Sequence, residues 1–389
     1  NRELQYYTDR IDNAYVSNGY LTITARKEQM FQNAYTSARL VSKNKGDFQY
    51  GRIEVRAKVP KEKGTWSAIW MLPTDWFYGG WPNSGEIDIM EHVGYDPVRI
   101  HGTIHTGKYN HMNGTQKGKS YYLPEATTEF HTYAIEWYPR EIVFFVDDQP
   151  YYITRFDEIK DRGSADYLAW PFNQRFHIIM NIAVGGNWGG QQGIDPNWEE
   201  AEMVIDYVRV YQRDFGHNDI EAPTKPTFED AIITQSSLDL LWHPSTDNLY
   251  VKEYVIYLND QLYGTSFSAR YLLNDLEPNT KYNVKVYAVD FANNRSEPLE
   301  YTFTTLNMPK IPGKIEGENY VTISGDATQT LRLSDREVLG KLYKNDSVTY
   351  GFYVSEPGKY RLTLHASSNG PEFIIAVYTV DQHGNHLMN

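Results

Sequence analysis

Three carboxylates fall within six residues in Ser84-Gly85-Glu86-Ile87-Asp88-Ile89-Met90-Glu91-His92, a run that is otherwise apolar and strand-like. Glu86 and Asp88 are two apart, so an extended strand points both to one face. Glu91 lies five on from Glu86, and a regular strand would send it to the other face. One extra residue, a β-bulge at Ile89 or Met90, shifts the parity and brings Glu91 back beside the other two. Three acids on one patch push their pKa values apart. Two-carboxylate sugar chemistry needs that arrangement, with one group ionised and one protonated at the same pH. The competing reading is a surface strand with scattered acids, and the apolar, aromatic-rich flanks argue against it.

Short strands and turns must position these acids. Gly19–Ala25 alternates out of a turn, and Gly51–Val59 alternates cleanly, apolar at odd positions from Ile53. Thr132–Trp137, Ile142–Val146, Phe176–Val184 and Ala201–Tyr211 follow, with Asp147-Asp148 as a turn candidate. Helical periodicity of useful length is missing. The pattern predicts an all-β block, a jelly-roll sandwich of two antiparallel sheets with a long cleft over one face.

At 389 residues the chain implies two or three domains. It carries 32 Tyr and 9 Trp, rings that stack on sugars but also fill sandwich cores. A formal net charge of −13 argues against nucleic acid or anionic membranes as partners. The absence of Cys excludes disulfides and Cys-based metal sites. No apolar run reaches the roughly 18 residues of a membrane span. There is no initiator Met or signal-like segment, and both Asn1 and the end at Met388-Asn389 read as trimmed.

Residues 1–213 form the first domain, and a charged, Pro-containing linker follows. Residues 224–307 carry an early Trp242 and the corner Leu276-Glu277-Pro278-Asn279-Thr280-Lys281-Tyr282, whose Tyr can hydrogen-bond back to the backbone. This block resembles a fibronectin type III domain, an Ig-like sandwich that serves as a spacer or interaction module. After a second linker, residues 313–389 contain Lys314-Ile315-Glu316-Gly317-Glu318-Asn319-Tyr320 and a strand, Pro357-Gly358 turn and strand. They resemble a partial family 6-like carbohydrate-binding module, another β-sandwich. In that family Glu316 and Glu318 occupy a region that often holds calcium.

Within the first domain, Gly85-Glu86-Ile87-Asp88-Ile89-Met90-Glu91 resembles the catalytic signature of glycoside hydrolase family 16, in the bulged form of its laminarinase branch. Lichenase-type members lack the residue occupied here by Met90. Asn1–Thr8, Gly51–Lys58, Gly64–Leu72, His101–Thr106, Asn181–Gly190 and Asp206–Tyr211 are similar to the same branch. Members carry a few dozen residues before the segment that begins here, so one sandwich strand is expected to lie outside this sequence.

The resemblance implies a retaining mechanism with Glu86 as nucleophile, Glu91 as acid/base and Asp88 assisting between them. It places His105 in the cleft near the acids, although a lone His is more often a satisfied core or surface residue. His101 shares its parity, and His92 should point away. Trp66 and Trp70, four apart on a strand, share a face and suit a glucan-stacking platform or else a core pair. Trp188 in its Gly-rich loop is expected to stack on sugar, with Asn181 and Arg39 holding hydroxyls. Trp137 matches a position that is either cleft or core. For a structural calcium, the matching ligands are the Asp206 carboxylate and the Gly51 carbonyl. Catalysis needs no cofactor.

The resulting expectation is an endo-acting β-1,3-glucanase that cleaves laminarin-like polymers. Its rivals are a mixed β-1,3/1,4-glucanase, a transglycosylase, a galactan hydrolase and a non-catalytic glucan-binding protein. The expected partner is a polysaccharide, with no nucleic acid and no membrane span. A monomer is expected, and a secreted or cell-surface location is inferred from substrate class and modularity.

Overall fold

The computed structural model describes residues 2–307 apart from 164, 213, 216 and 217, and beyond 307 only short strands between Lys310 and Val354. Two compact units, Asn1–Leu306 and Asn307–Asn389, divide the chain. No α-helix occurs among the described residues.

Strands are numbered in chain order. The first domain is a sandwich of two sheets. One runs β1 (Gln5–Tyr7), β4 (Tyr35–Ser37), β3 (Tyr20–Arg26), β16 (Glu200–Tyr211), β7 (Gly51–Lys58), β12 (His131–Tyr138), β13 (Glu141–Val146), β14 (Gln149–Arg155), with β2 (Ala14–Ser17) paired to β3. The other runs β11 (Lys117–Tyr122), β10 (Arg99–His105), β9 (Glu86–Val93), β8 (Thr65–Pro73), β15 (Phe176–Val184), β5 (Arg39–Val41), with β6 (Asp47–Phe48) on β15. The order mixes strands distant in sequence, as expected of the jelly roll.

The core lies between the sheets. On β7 the alternation holds: Ile53, Val55 and Ala57 all point inward and are fully buried. Tyr133, Ile135 and Trp137 of β12 join them from the same sheet. Ile69 and Met71 of β8, and Ile87, Ile89 and Met90 of β9, enter from the other. Each buried Ile, Val or Met among them contributes roughly 1.5–3 kcal/mol. Trp137 settles as a core residue whose Nε1 donates to the Phe172 carbonyl at 3.1 Å.

The second domain packs β17 (Thr227–Ile233), β18 (Leu238–His243) and β21 (Arg270–Leu273) against β20 (Gln261–Ser266), β19 (Val251–Leu258), β22 (Lys281–Asp290) and β23 (Leu299–Thr304). Trp242 is fully buried, edge-on to Tyr254 at 5.1 Å. The Tyr282 hydroxyl accepts the Glu277 N–H at 2.9 Å, so the corner is pinned as its sequence implied.

These two domains are docked on each other. Phe215, buried within the connecting segment, packs against Tyr50 of the first domain and against Tyr250 and Phe291 of the second. Arg162 donates to both Glu229 carboxylate oxygens at 2.7 Å. The Arg140 guanidinium lies 4.3 Å from the Phe267 ring and donates to its carbonyl. The segment that composition marks as a charged linker is therefore an anchor.

In residues 307–389 the described strands pair two by two: Lys310–Ile311 with Tyr353–Val354, Thr322–Ser324 with Ser347–Thr349, and Thr330–Arg332 with Glu337–Leu339. Glu316 and Glu318 lie outside the described residues.

Candidate active site

The registers of β9 with its two neighbours show where the extra residue lies. Along β8, Ile69 faces Met90 and the next residue, Trp70, faces Asp88, so Ile89 is the extra residue. On the other side, His101 faces Glu91 while Thr103 faces Asp88, two residues against three. Ile89 and Met90 consequently both turn into the core. Glu86, Asp88 and Glu91 all remain on the opposite, cleft face. Gly85, immediately before the strand, has φ +87, and a Cβ there would meet Pro171 Cγ at 2.7 Å, so glycine is required.

The acids are unequal in their surroundings. The Glu86 side chain is 17 % exposed and that of Asp88 only 4 %. Burial raises all three above the ordinary carboxylate range. Glu86 is raised to about 7 by burial, opposed by a hydrogen bond from Asp88, the nearby Trp81 indole and the Arg39 charge. The Trp81 N–H is itself buried and closes no hydrogen bond of ordinary geometry. Glu91 is raised to about 8 by burial and by the charge of Glu86, and is opposed by Trp66. Asp88 goes well above its usual value through burial and through the charges of Glu86 and Glu91. Near neutrality the cluster thus favours a protonated Asp88 donating to Glu86, with the proton leaving Glu86 more readily than Glu91.

His105 stands over this group, its Nε2 3.4 Å from Asp88 Oδ2 and 4.0 Å from Glu86 Oε1. Burial and neighbouring His111 lower its pKa to about 4, so the ring is neutral and can offer Asp88 one N–H. His101 flanks Glu91 and lies edge-on to Trp188 at 4.9 Å. His92 is buried, on the face opposite Glu91.

Trp66 and Trp70 occupy the cleft face of β8, each held by its own partners. Trp66 donates its indole N–H to Glu91 Oε1 at 3.0 Å and meets Trp188 edge-on at 5.5 Å. Trp70 donates to Asn181 Oδ1 at 2.8 Å, and the Arg39 guanidinium covers its ring at 4.6 Å. Asn181 in turn donates to the Tyr7 hydroxyl at 3.1 Å. All six expected binding residues, Trp66, Trp70, His105, Arg39, Asn181 and Trp188, therefore line one surface around the acids.

Three further residues belong to it. Trp81 lies 6.2 Å from His105 and 5.2 Å from His111, ring to ring, and His111 is edge-on to His105 at 5.1 Å. Tyr7 completes the Asn181 end. Only Trp81 carried a signal: an indole in the Gly79-Gly80-Trp81-Pro82 loop beside the acid run has little access to a core.

The two ligands expected for a structural calcium, Gly51 and Asp206, lie far apart in the fold. Gly51 abuts Tyr211, since a Cβ there would meet the Tyr211 carbonyl at 2.3 Å. Asp206 sits five residues back along β16, roughly 17 Å at 3.3 Å per residue. Two calcium ligands must lie within about 5 Å of each other. The Asp206 carboxylate is instead paired with Arg56. Gly51 and Asp206 do not fit one ion. Among the described residues, ligating side chains gather at Glu86–Asp88–His105 and, in the second domain and its linker, at Asp219–Asp247–Asp290.

The model of glycosyl hydrolases family 16 matches residues 3–209. The chain belongs to this family. A fibronectin type III domain matches residues 221–302. The family 16 region is 57 % identical over 215 residues to a beta-glucanase of Rhodothermus marinus, spanning 54 % of this chain and 75 % of the relative. The X-ray structure of the laminarinase from Rhodothermus marinus superposes with a TM-score of 0.52 at 56 % identity, covering 55 % of this chain and 85 % of that one. A non-specific endo-beta-1,3(4)-glucanase of family 16, SCLam, is 43 % identical with a TM-score of 0.51, covering 55 % and 80 %. The chain is a glycoside hydrolase.

Proposed function

We propose that the enzyme is an endo-acting hydrolase of laminarin-like β-1,3-glucan that retains anomeric configuration. The observation that carries the mechanism is the bulge at Ile89, which sets Glu86, Asp88 and Glu91 on one cleft face. Glu86 attacks the anomeric carbon while the bond to the leaving sugar breaks. Glu91 gives its proton to the departing glycosidic oxygen. Water then attacks the same carbon, Glu91 takes a proton from it, and the Glu86 carboxylate is released. Asp88 holds the proton that hydrogen-bonds Glu86, and His105 orients Asp88.

The ordering of the pKa values supports these roles. Glu86 loses its proton first because Asp88, Trp81 and Arg39 favour its charged form, and Glu91 keeps one near neutral pH. Trp66, Trp70 and Trp188 supply ring faces to the sugar chain, with Arg39 and Asn181 as hydroxyl partners. The similarity to a laminarinase favours the β-1,3 linkage. Cleavage of mixed β-1,3/1,4-glucan is the second reading, favoured by the likeness to a non-specific glucanase. A polymeric substrate puts the enzyme at the cell surface or outside the cell. A glucan-binding role for the final module is part of this reading and rests on its sequence resemblance.

Reducing-sugar release from laminarin, compared with lichenan, agarose and carrageenan, tests the substrate. Glu86→Gln and Glu91→Gln should each lose at least about 10²–10⁴-fold in turnover. Release from agarose or carrageenan alone, or substantial activity in either variant, contradicts the proposal.

A further inference from the structure

The docking of the second domain creates a crevice that the catalytic cleft does not use. Its volume is about 520 Å³, within the roughly 300–1,000 Å³ of ligand pockets. The first domain lends Tyr78, Tyr167 and Asn173, and the fibronectin type III domain lends Tyr271 and Asn274. Tyr78 and Tyr167 are stacked at 4.8 Å and 13°, and the Tyr78 hydroxyl donates to Asn173 Oδ1 at 2.8 Å. The pair is thus a fixed aromatic wall. Tyr271 is held on the facing side, close over Gly264, where a Cβ would meet its hydroxyl at 2.1 Å.

The lining selects a neutral, hydroxyl-rich ligand. Two anionic side chains, Asp166 and Glu253, are balanced by two cationic ones, Lys252 and Arg270. Arg270 is committed to Asp239. No single sign of charge dominates, which disfavours a phosphate or a metal ion. Ring faces accept the C–H face of a pyranose, and flat amides both donate to and accept from hydroxyls. Tyr78 belongs to the same loop as Trp81, which stands against His105, so that loop borders both crevice and cleft.

We infer that this interdomain crevice is a second, non-catalytic glucan-binding site, and that the fibronectin type III domain is part of the substrate surface. The inference rests on the β-glucan reading of the cleft. A long chain tethered in the crevice raises its effective concentration at the acids, whereas a short oligosaccharide gains nothing from a second site.

The test uses the full chain. Tyr271→Ala and Asn274→Ala alter the fibronectin side, and Leu262→Ala, exposed on β20 and absent from the crevice lining, is the control. Each is made in the wild type and in the inactive Glu86→Gln chain. Affinity electrophoresis through laminarin-containing gels reads binding. Relative kcat/KM on laminarin and on laminaritetraose reads the kinetic consequence. Tyr271→Ala should weaken retardation about three- to tenfold, the range for one lost ring contact, and lower the polymer-to-tetrasaccharide ratio by a similar factor. Asn274→Ala should do so more weakly, and Leu262→Ala not at all. Retardation and ratio equal to the parent in both crevice variants overturn the inference. Hydrolysis of laminarin by the wild-type chain is scored separately, so a failure of the substrate reading is distinguished from a failure of the crevice.

Discussion

The indole N–H of Trp66 donates to Oε1 of Glu91 at 3.0 Å, two strands meeting side by side at the acid that must protonate the leaving group. This bond stabilises the carboxylate and opposes the rise that burial imposes. Trp66→Phe keeps a ring on the cleft face and removes the donor. The alkaline limb of kcat/KM, set by Glu91 at about 8, should move up by on the order of one pH unit. An unmoved limb, with activity merely scaled down, would mean that Trp66 acts only as a sugar platform.

Glu91 also predicts a pH-dependent stability difference. Its folded pKa lies above its unfolded value, so its contribution is intact below the unfolded pKa and is lost as pH rises towards about 8. Glu91→Gln never ionises and escapes that loss. The variant should therefore melt close to wild type near pH 4 and a few degrees higher near pH 9. Melting curves by circular dichroism check this, and a gap that shrinks as pH rises contradicts it.

The bulge can be probed by deletion. Removing Ile89 sets Glu91 four residues from Glu86, an even spacing, so all three acids keep one face of a now regular strand. Removing Ile87 makes Glu86 and Asp88 adjacent and throws them to opposite faces. Both deletions take an isoleucine from the core, at a cost of very roughly 2–5 kcal/mol. Measured on laminarin, the Ile89 deletion should keep detectable turnover and the Ile87 deletion none. Equal losses in folded variants would refute the parity account.

Phe215 is one of the contacts that join the two sandwiches within one compact unit. Phe215→Ala removes the ring that contacts Tyr50, Tyr250 and Phe291, and should cost about 3–5 kcal/mol of docking free energy. Thermal unfolding should then separate into two transitions or move to lower temperature. An unchanged single transition would show that the contact is not a coupling element.

Much of this was legible in the chain, for reasons that differ by residue. The alternation of Ile53, Val55 and Ala57 showed the core face because a strand has period two. The wrong parity of Glu91 showed the bulge for the same reason, and Tyr282 its corner. Parity gives a face but not a partner, which is why Trp66 read as a sugar platform and not as a donor to Glu91. Tyr7 and His111 reach the site from an edge strand and a loop, where no periodicity marks them. The family resemblance pairs Gly51 with Asp206, and the register of β16 on β7, which no sequence pattern reveals, sets them apart. Phe215 lies among charged linker residues, and its burial comes from Tyr50 of one domain together with Tyr250 and Phe291 of the other.

Glu86 and Glu91 act from one face of β9 in a double displacement on β-1,3-glucan. Proton NMR of the first reducing ends released from laminarin tests it most directly. The β-anomer should appear first and the α-anomer only later, by mutarotation. An α-anomer appearing first would contradict it.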